Sequence, residues 1–157
     1  EMAKATCERL LALAQKSRDP VRIIVSSPGG HVESGDAIHD MVQFIDVPVT
    51  MIGSGWVASA GTHIYLAVPK EKRVCLPNTR FLIHQPSGGT MGSSSDIEIQ
   101  MREIVKTRER LARVISIATG QSVERVSKDF DRDYWLDTQE AIDYGIVARV
   151  VKRSSEI

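Results

Sequence analysis

Aromatic side chains make up only 5% of the 157 residues, and cysteine occurs twice, at Cys7 and Cys75. Two thiols without a paired CxxC spacing build neither a disulfide framework nor a metal-binding motif. Both are expected to be reduced and buried, as in a cytoplasmic protein. No apolar run is long enough to cross a bilayer and no signal peptide opens the chain, which argues against a membrane partner. Lys plus Arg equals Asp plus Glu at 20 each, so no overall field would gather nucleic acid. HExxH, GxxxxGK and GxGxxG after a strand are all missing. Metal and nucleotide chemistry thus lack support, and no cofactor is expected.

What is present is an ordinary globular composition, 42% apolar and 25% charged, in a length that suits one domain with a sizeable core. The chain opens at Glu1 with a helical pattern already running through Ala3, Cys7, Leu10, Leu11 and Ala14, so an N-terminal piece is expected to precede it. VRIIVS (21–26) reads as a buried strand. SPGGHVESGD (27–36) is a glycine turn into a helix carrying Ala37, Ile38, Met41, Val42 and Ile45. PVTMIGSG (48–55) reads as the next strand, and the small-residue stretch GSGWVASAGTH (53–63) as a helix ending near Ala67. Strands follow at RVCLP (73–77) and TRFLIH (79–84), then a loop or weakly specified strand at PSGGTMGSSS (86–95).

Ser95 with Glu98 suggests a capping box for a long helix ending at Gly120. Its charged face reads as solvated, and its apolar residues Ile97, Met101, Ile104, Val105 and Leu111 as packed on the domain or on another subunit. Ser122 and Thr138 are expected to cap two short helices, the second stopping at Gly145 before a strand at IVARVV (146–151). Strands alternating with helices predict an α/β domain without repeats or linkers.

Serine becomes a nucleophile only when a base takes its proton and a third group orients that base. Ser59 sits among small residues that allow close backbone approach. His84 ends a strand at a turn, and His63 lies four residues after Ser59. His31 belongs to the glycine turn and His39 stands beside Asp40. The acid would be Asp129, Asp131, Asp133 or Asp137, and spacing does not choose among them. The SPGG turn and a helix start at Ser59 both offer unpaired amides to a developing negative charge. The segment is not a GxSxG elbow, because Val57 holds the first glycine position.

SSPGG (26–30), GWVASAG (55–61), NTRFLIHQP (78–86), DIEIQMREI (96–104) and DRDYWL (131–136) together resemble the Clp protease proteolytic subunit family, in its order and over essentially the whole chain. The resemblance implies a serine endopeptidase of crotonase-like ββα superhelix fold, one domain spanning 1–157. It places the triad on Ser59, His84 and Asp133, the oxyanion donors on the Gly30 and Ala60 amides, and leaves His63 structural. Substrate is expected as an added strand between Gly30, His31, Val32, Glu33 and Pro86, Ser87, Gly88, Gly89, in a mode that reads little side-chain identity. The small residues would then let a substrate carbonyl reach Ser59. Residues 86–119 would form a handle through which two seven-membered rings stack into a tetradecameric chamber fed with unfolded polypeptide by an AAA+ Clp unfoldase. That partner, not this chain, would bind ATP. Asp131 and Arg132 match a pair linking ring contact to the triad, so Arg132→Ala is expected to weaken assembly and peptidase activity together, read by sedimentation and peptide cleavage.

The chain departs from the family pattern at several positions. Trp56 and Val57 stand where Gln and Ala are usual, and Arg22, Ile24 and Val74 replace aromatic residues of the groove that receives the unfoldase. An arginine at an apolar rim suits the usual unfoldase loop poorly. The family's pore-lining N-terminal segment is not represented. Competing readings are an inactive structural paralogue in a mixed ring, a crotonase-type acyl-CoA enzyme, and a Ser–Lys peptidase, the last disfavoured by the lack of a membrane anchor.

Overall fold

In a computed structural model that describes residues 1–157, the longest strand, β2 (Val49–Ala58), organises the molecule. β1 (Val21–Ser27) runs parallel along one edge of it, from Val21 opposite Val49 to Ser27 opposite Val57. The other edge is shared. β3 (Arg73–Cys75) pairs in parallel with Met51–Gly53, and β4 (Arg80–Ile83) pairs in parallel with Trp56–Ala58. β5 (Tyr134–Leu136) lies antiparallel to β4, and β6 (Arg149–Val150) parallel to β3. The partner change falls at Gly53–Gly55, where Gly55 has φ +66°, a conformation that glycine adopts without steric cost. A Cβ on Gly53 would lie 3.2 Å from Val57 and 3.3 Å from both Cys75 and Phe81. The sheet curls there.

Aliphatic side chains carry the core, as the shortage of aromatics requires. Val42, Met51, Val57, Val126, Ile146 and Val147 are buried around Phe81 and Phe130. α1 (Met2–Lys16) packs on α2 (Val32–Phe44), and α2 on α3 (Ala60–Tyr65). α4 (Ser94–Thr119) buries only Leu111, Ala112 and Ile115, all in its second half. α5 (Val123–Asp129) and α6 (Thr138–Tyr144) complete the chain's helices of more than one turn. A separate small cluster of Ile52, Val74 and Val151 is covered by Ile157, whose carbonyl accepts from Arg22 at 2.6 Å. Of the three residues expected in a docking groove, Arg22 therefore holds the C-terminal segment, Val74 lies beneath it, and Ile24 is exposed.

Several expected boundaries shift. β2 continues to Ala58, so the first half of the small-residue stretch is strand and the helix spans only Ala60–Tyr65. Small residues fit either conformation, and pairing with β4 decides between them. Ser93 rather than Ser95 caps α4, accepting from the Asp96 amide. Asp137 rather than Thr138 caps α6, in a capping box with Glu140. Only Arg149–Val150 of IVARVV is strand, because the Ile146 and Val147 amides bond the Ala141 carbonyl at the end of α6. Ser122 caps α5, and Gly120 and Gly145 end their helices in the left-handed region.

Candidate active site

Ser59 lies between the end of β2 and the start of α3, at φ 56° and ψ −119°, and is the sole non-glycine residue with positive φ. Such a conformation costs about 1–3 kcal/mol and persists only where its surroundings impose it. Here the Ser59 amide bonds the Leu82 carbonyl at 3.0 Å, and the buried Thr62 hydroxyl lies 2.7 Å from the Val57 carbonyl and 2.8 Å from that of Leu82. The turn is thus tied to both β2 and β4.

The glycines around this turn make room for it. A Cβ on Gly29 would stand 2.6 Å from Ser59 Cβ and 3.1 Å from its Oγ. One on Gly61 would meet Ser27 Cβ at 3.0 Å. The Gly29–Gly30 turn therefore lies directly against the Ser59 side chain, and the Gly30 amide makes no backbone hydrogen bond. Ala60 begins α3, where an amide has no carbonyl one turn back to bind. Ala60 directly follows Ser59, and Gly30 directly follows the Gly29 that packs against the Ser59 side chain.

His84 follows β4, and its Nε2 is 2.7 Å from Ser59 Oγ. Its Nδ1 is 3.2 Å from Asp133 Oδ1. The antiparallel pairing sets this second contact, since Tyr134 stands opposite Ile83 and the flanking Asp133 and His84 are brought side by side. Gln85 reinforces it. Its amide bonds the Phe130 carbonyl at 2.6 Å and its side chain donates to the Asp131 carbonyl at 2.7 Å. Thr62 carried no mark in the sequence and Gln85 stood only within the NTRFLIHQP block, because the Leu82, Phe130 and Asp131 groups they meet come from other segments of the chain.

The other acidic candidates are occupied elsewhere. Asp129 accepts from Tyr144 at 3.0 Å, Asp131 pairs with Arg108 at 3.1 Å, and Asp137 caps α6. Arg132 forms no ion pair within the chain. The remaining histidines are also placed. His31 is exposed beside Glu33. His63 and His39 are buried and stacked, with ring centroids 4.3 Å apart and planes within 5°. His63 Nε2 lies 2.8 Å from Asp36 Oδ1 without the alignment of a formed hydrogen bond, and Asp36 also takes both terminal nitrogens of Arg110 at 2.8 and 2.7 Å.

Burial, and then the neighbouring His39, push His63 down to about 4. Burial likewise pushes the Cys75 thiol up to about 11 and raises that of Cys7, so both free cysteines are poor nucleophiles.

Val32 and Glu33 lie in the first turn of α2, which leaves Gly30, at φ +149°, and the extended His31 ahead of it on that side of the site. Pro86–Gly89 has no regular structure, and Pro86, Ser87 and Gly88 border a cleft shared with Met101, Ile104 and Asp133. Trp56 pairs in register with Arg80, is 47% exposed and lies outside both cavities that adjoin Ser59, His84 and Asp133. Among all residues, no cluster of His, Cys, Asp and Glu is arranged to hold a metal ion, and no helix is long and apolar enough to cross a membrane.

The Clp protease family model matches residues 1–154. The ATP-dependent Clp protease proteolytic subunit 3 of Rhizobium johnstonii is 61% identical over 157 residues, which span all of this chain and 81% of that protein. The proteolytic subunit 2 of Pseudomonas aeruginosa is 54% identical over 157 residues, spanning all of this chain and 78% of its own length. Among solved structures, ClpP1 from Listeria monocytogenes superposes with a TM-score of 0.88 at 49% identity, covering 98% of this chain and 86% of the other. Its N165D mutant gives 0.92 at 51% identity over the same shares.

Proposed function

The chain belongs to the Clp protease family and is a serine endopeptidase with that family's fold, and from this we propose that it cleaves unfolded polypeptides by acyl-enzyme chemistry at Ser59, His84 and Asp133. The observation that carries the assignment is the unbroken contact series, 2.7 Å from Ser59 Oγ to His84 Nε2 and 3.2 Å from His84 Nδ1 to Asp133. His84 takes the Ser59 proton as Oγ attacks the substrate carbonyl, and Asp133 keeps the ring oriented and supports its positive charge. The Gly30 and Ala60 amides receive the oxyanion, a donor pair whose members are each worth about 10²–10³ in turnover. His84 then protonates the leaving amine, and water repeats the sequence to release the acyl group. No metal or organic cofactor enters these steps.

Substrate backbone runs between Gly30–His31 and Pro86–Gly89, pairing by main-chain hydrogen bonds. Residues 86–119 act as a handle for self-assembly. Ile97, Ile99, Met101 and Val105 are 38–51% exposed on its outer half, an unpartnered apolar surface that a second copy would cover. Seven-membered rings stacked in pairs, a cytoplasmic setting and an ATP-driven unfoldase complete the proposal. Asp131 and Arg132 link ring contact to the triad: Asp131 binds Gln85 and Arg108 within the subunit, and Arg132 is free to pair with a neighbour.

A fluorophosphonate probe tests the assignment. It should modify Ser59, and Ser59→Ala should abolish both labelling and peptide cleavage. An intact assembled ring that resists labelling would instead favour the inactive-paralogue reading.

A further inference from the structure

One hydroxyl spans the two strands that deliver Ser59 and His84. Thr62 lies one turn beyond Ser59 in α3 and is 1% exposed. Its Oγ1 is 2.7 Å from the carbonyl of Val57, which precedes Ser59 on β2. It is also 2.8 Å from the carbonyl of Leu82, which precedes His84 on β4. The same Leu82 carbonyl accepts the Ser59 amide at 3.0 Å. The 2.7 Å contact from Ser59 Oγ to His84 Nε2 therefore depends on two strand ends that share one threonine.

A carbonyl oxygen only accepts, and a threonine hydroxyl carries a single hydrogen. That hydrogen serves two carbonyls at once, and its loss would leave buried acceptors without their donor. A helical threonine ordinarily turns its hydroxyl to a carbonyl of its own helix. This one reaches back past the start of α3 to β2 and across to β4. Ser59 needs such a constraint, because its φ of 56° persists only where the surroundings impose it. Ala60 and Gly61 carry no polar side-chain atom, so Thr62 is the first residue after Ser59 able to fasten the turn through a side chain.

We propose that Thr62 is a positioning residue: its hydroxyl holds the Ser59 turn against β4 and so keeps Oγ within reach of the His84 imidazole. The proposal rests on Ser59 being the nucleophile. The Thr62 hydroxyl bonds to backbone alone, so it acts on the chemical step through placement and takes no part in proton transfer.

Two substitutions separate the hydroxyl from the methyl group. Thr62→Val keeps the shape and loses the hydroxyl, whereas Thr62→Ser keeps the hydroxyl and loses the methyl. In fractions that sediment as the wild-type assembly does, Thr62→Val should lower kcat for peptide cleavage by about 10–100-fold, the scale of a small misplacement of reacting groups. KM should stay nearly constant, which separates placement of the nucleophile from substrate binding. Fluorophosphonate labelling of Ser59 should slow in parallel, because it uses the same hydroxyl and base without a peptide strand. Thr62→Ser should restore both rates, even if its melting temperature falls. If Thr62→Val does not fold, Thr62→Ala removes the hydroxyl without setting a methyl group against the two carbonyls and reads the same comparison.

A folded, assembled Thr62→Val or Thr62→Ala enzyme with wild-type kcat and labelling rate overturns the positioning role. So does a Thr62→Ser enzyme as slow as Thr62→Val, since the methyl group would then carry the effect, and so does a change confined to KM. A wild-type protein that neither labels nor cleaves overturns the Ser59 assignment first, and the role of Thr62 with it.

Discussion

Asp133 shows how a single residue's role comes from what surrounds it. Three neighbouring aspartates are drawn off by Tyr144, Arg108 and a helix amide, which leaves Asp133 to face His84. Asp133→Asn preserves shape but not charge, and should lower kcat by about 10⁴ with little change in KM, as in other triads. Steady-state peptide kinetics check this, and a loss below tenfold would remove Asp133 from the triad. His63 makes a second prediction. The unfolded chain holds it at its ordinary 6.5, the folded chain at about 4. Between those values the unfolded state binds the extra proton, so stability is complete above about pH 6.5 and declines as pH falls toward 4. The loss approaches about 3 kcal/mol. Urea unfolding at pH 7 and 4.5 should show it, and His63→Leu should remove that part of the decline.

At the scale of elements, the junctions carry the function. Gly29 has φ +104°, and a Cβ there would collide with Ser59. Gly29→Ala should therefore cut kcat by more than about 10²-fold while leaving circular dichroism nearly unchanged, since a 1 Å displacement of reacting groups costs that much. Unaltered turnover would mean that the glycine turn does not position Ser59. α4 poses a different question. At 26 residues and 1.5 Å rise it is about 39 Å long, yet its first half buries nothing within the chain. Met101→Asp with Val105→Asp should shift sedimentation toward smaller species without lowering the subunit's own melting temperature. A lowered melting temperature with assembly intact would place those side chains in the fold instead. The helix's other end is held from within. Arg73, 2% exposed, donates to the Ala118 carbonyl at 2.7 Å, setting a cation at the negative end of the helix dipole.

The whole molecule brings the site together from β2, β4 and the approach to β5, elements separated by long stretches of chain. Asp133 remains 66% exposed in the single subunit, and in the ring assembly proposed above a neighbouring subunit would shield it. Peptidase activity per subunit should consequently fall on dilution in step with ring dissociation seen by sedimentation; constant activity across dissociation would show that one subunit suffices. The chain by itself determined the α/β class, the glycine stops of α4 and α6, and the small-residue surroundings of Ser59. Each of these follows from local periodicity or from conformations open to few residue types. Five motif blocks in register also carried the family resemblance. Local pattern could not reveal that β2 extends to Ala58, that Asp133 rather than its neighbours meets His84, or that His63 stacks on His39. Those outcomes depend on which segments pair and stack across the chain, because hydrogen bonding and close packing act on distance in space and are blind to separation in sequence.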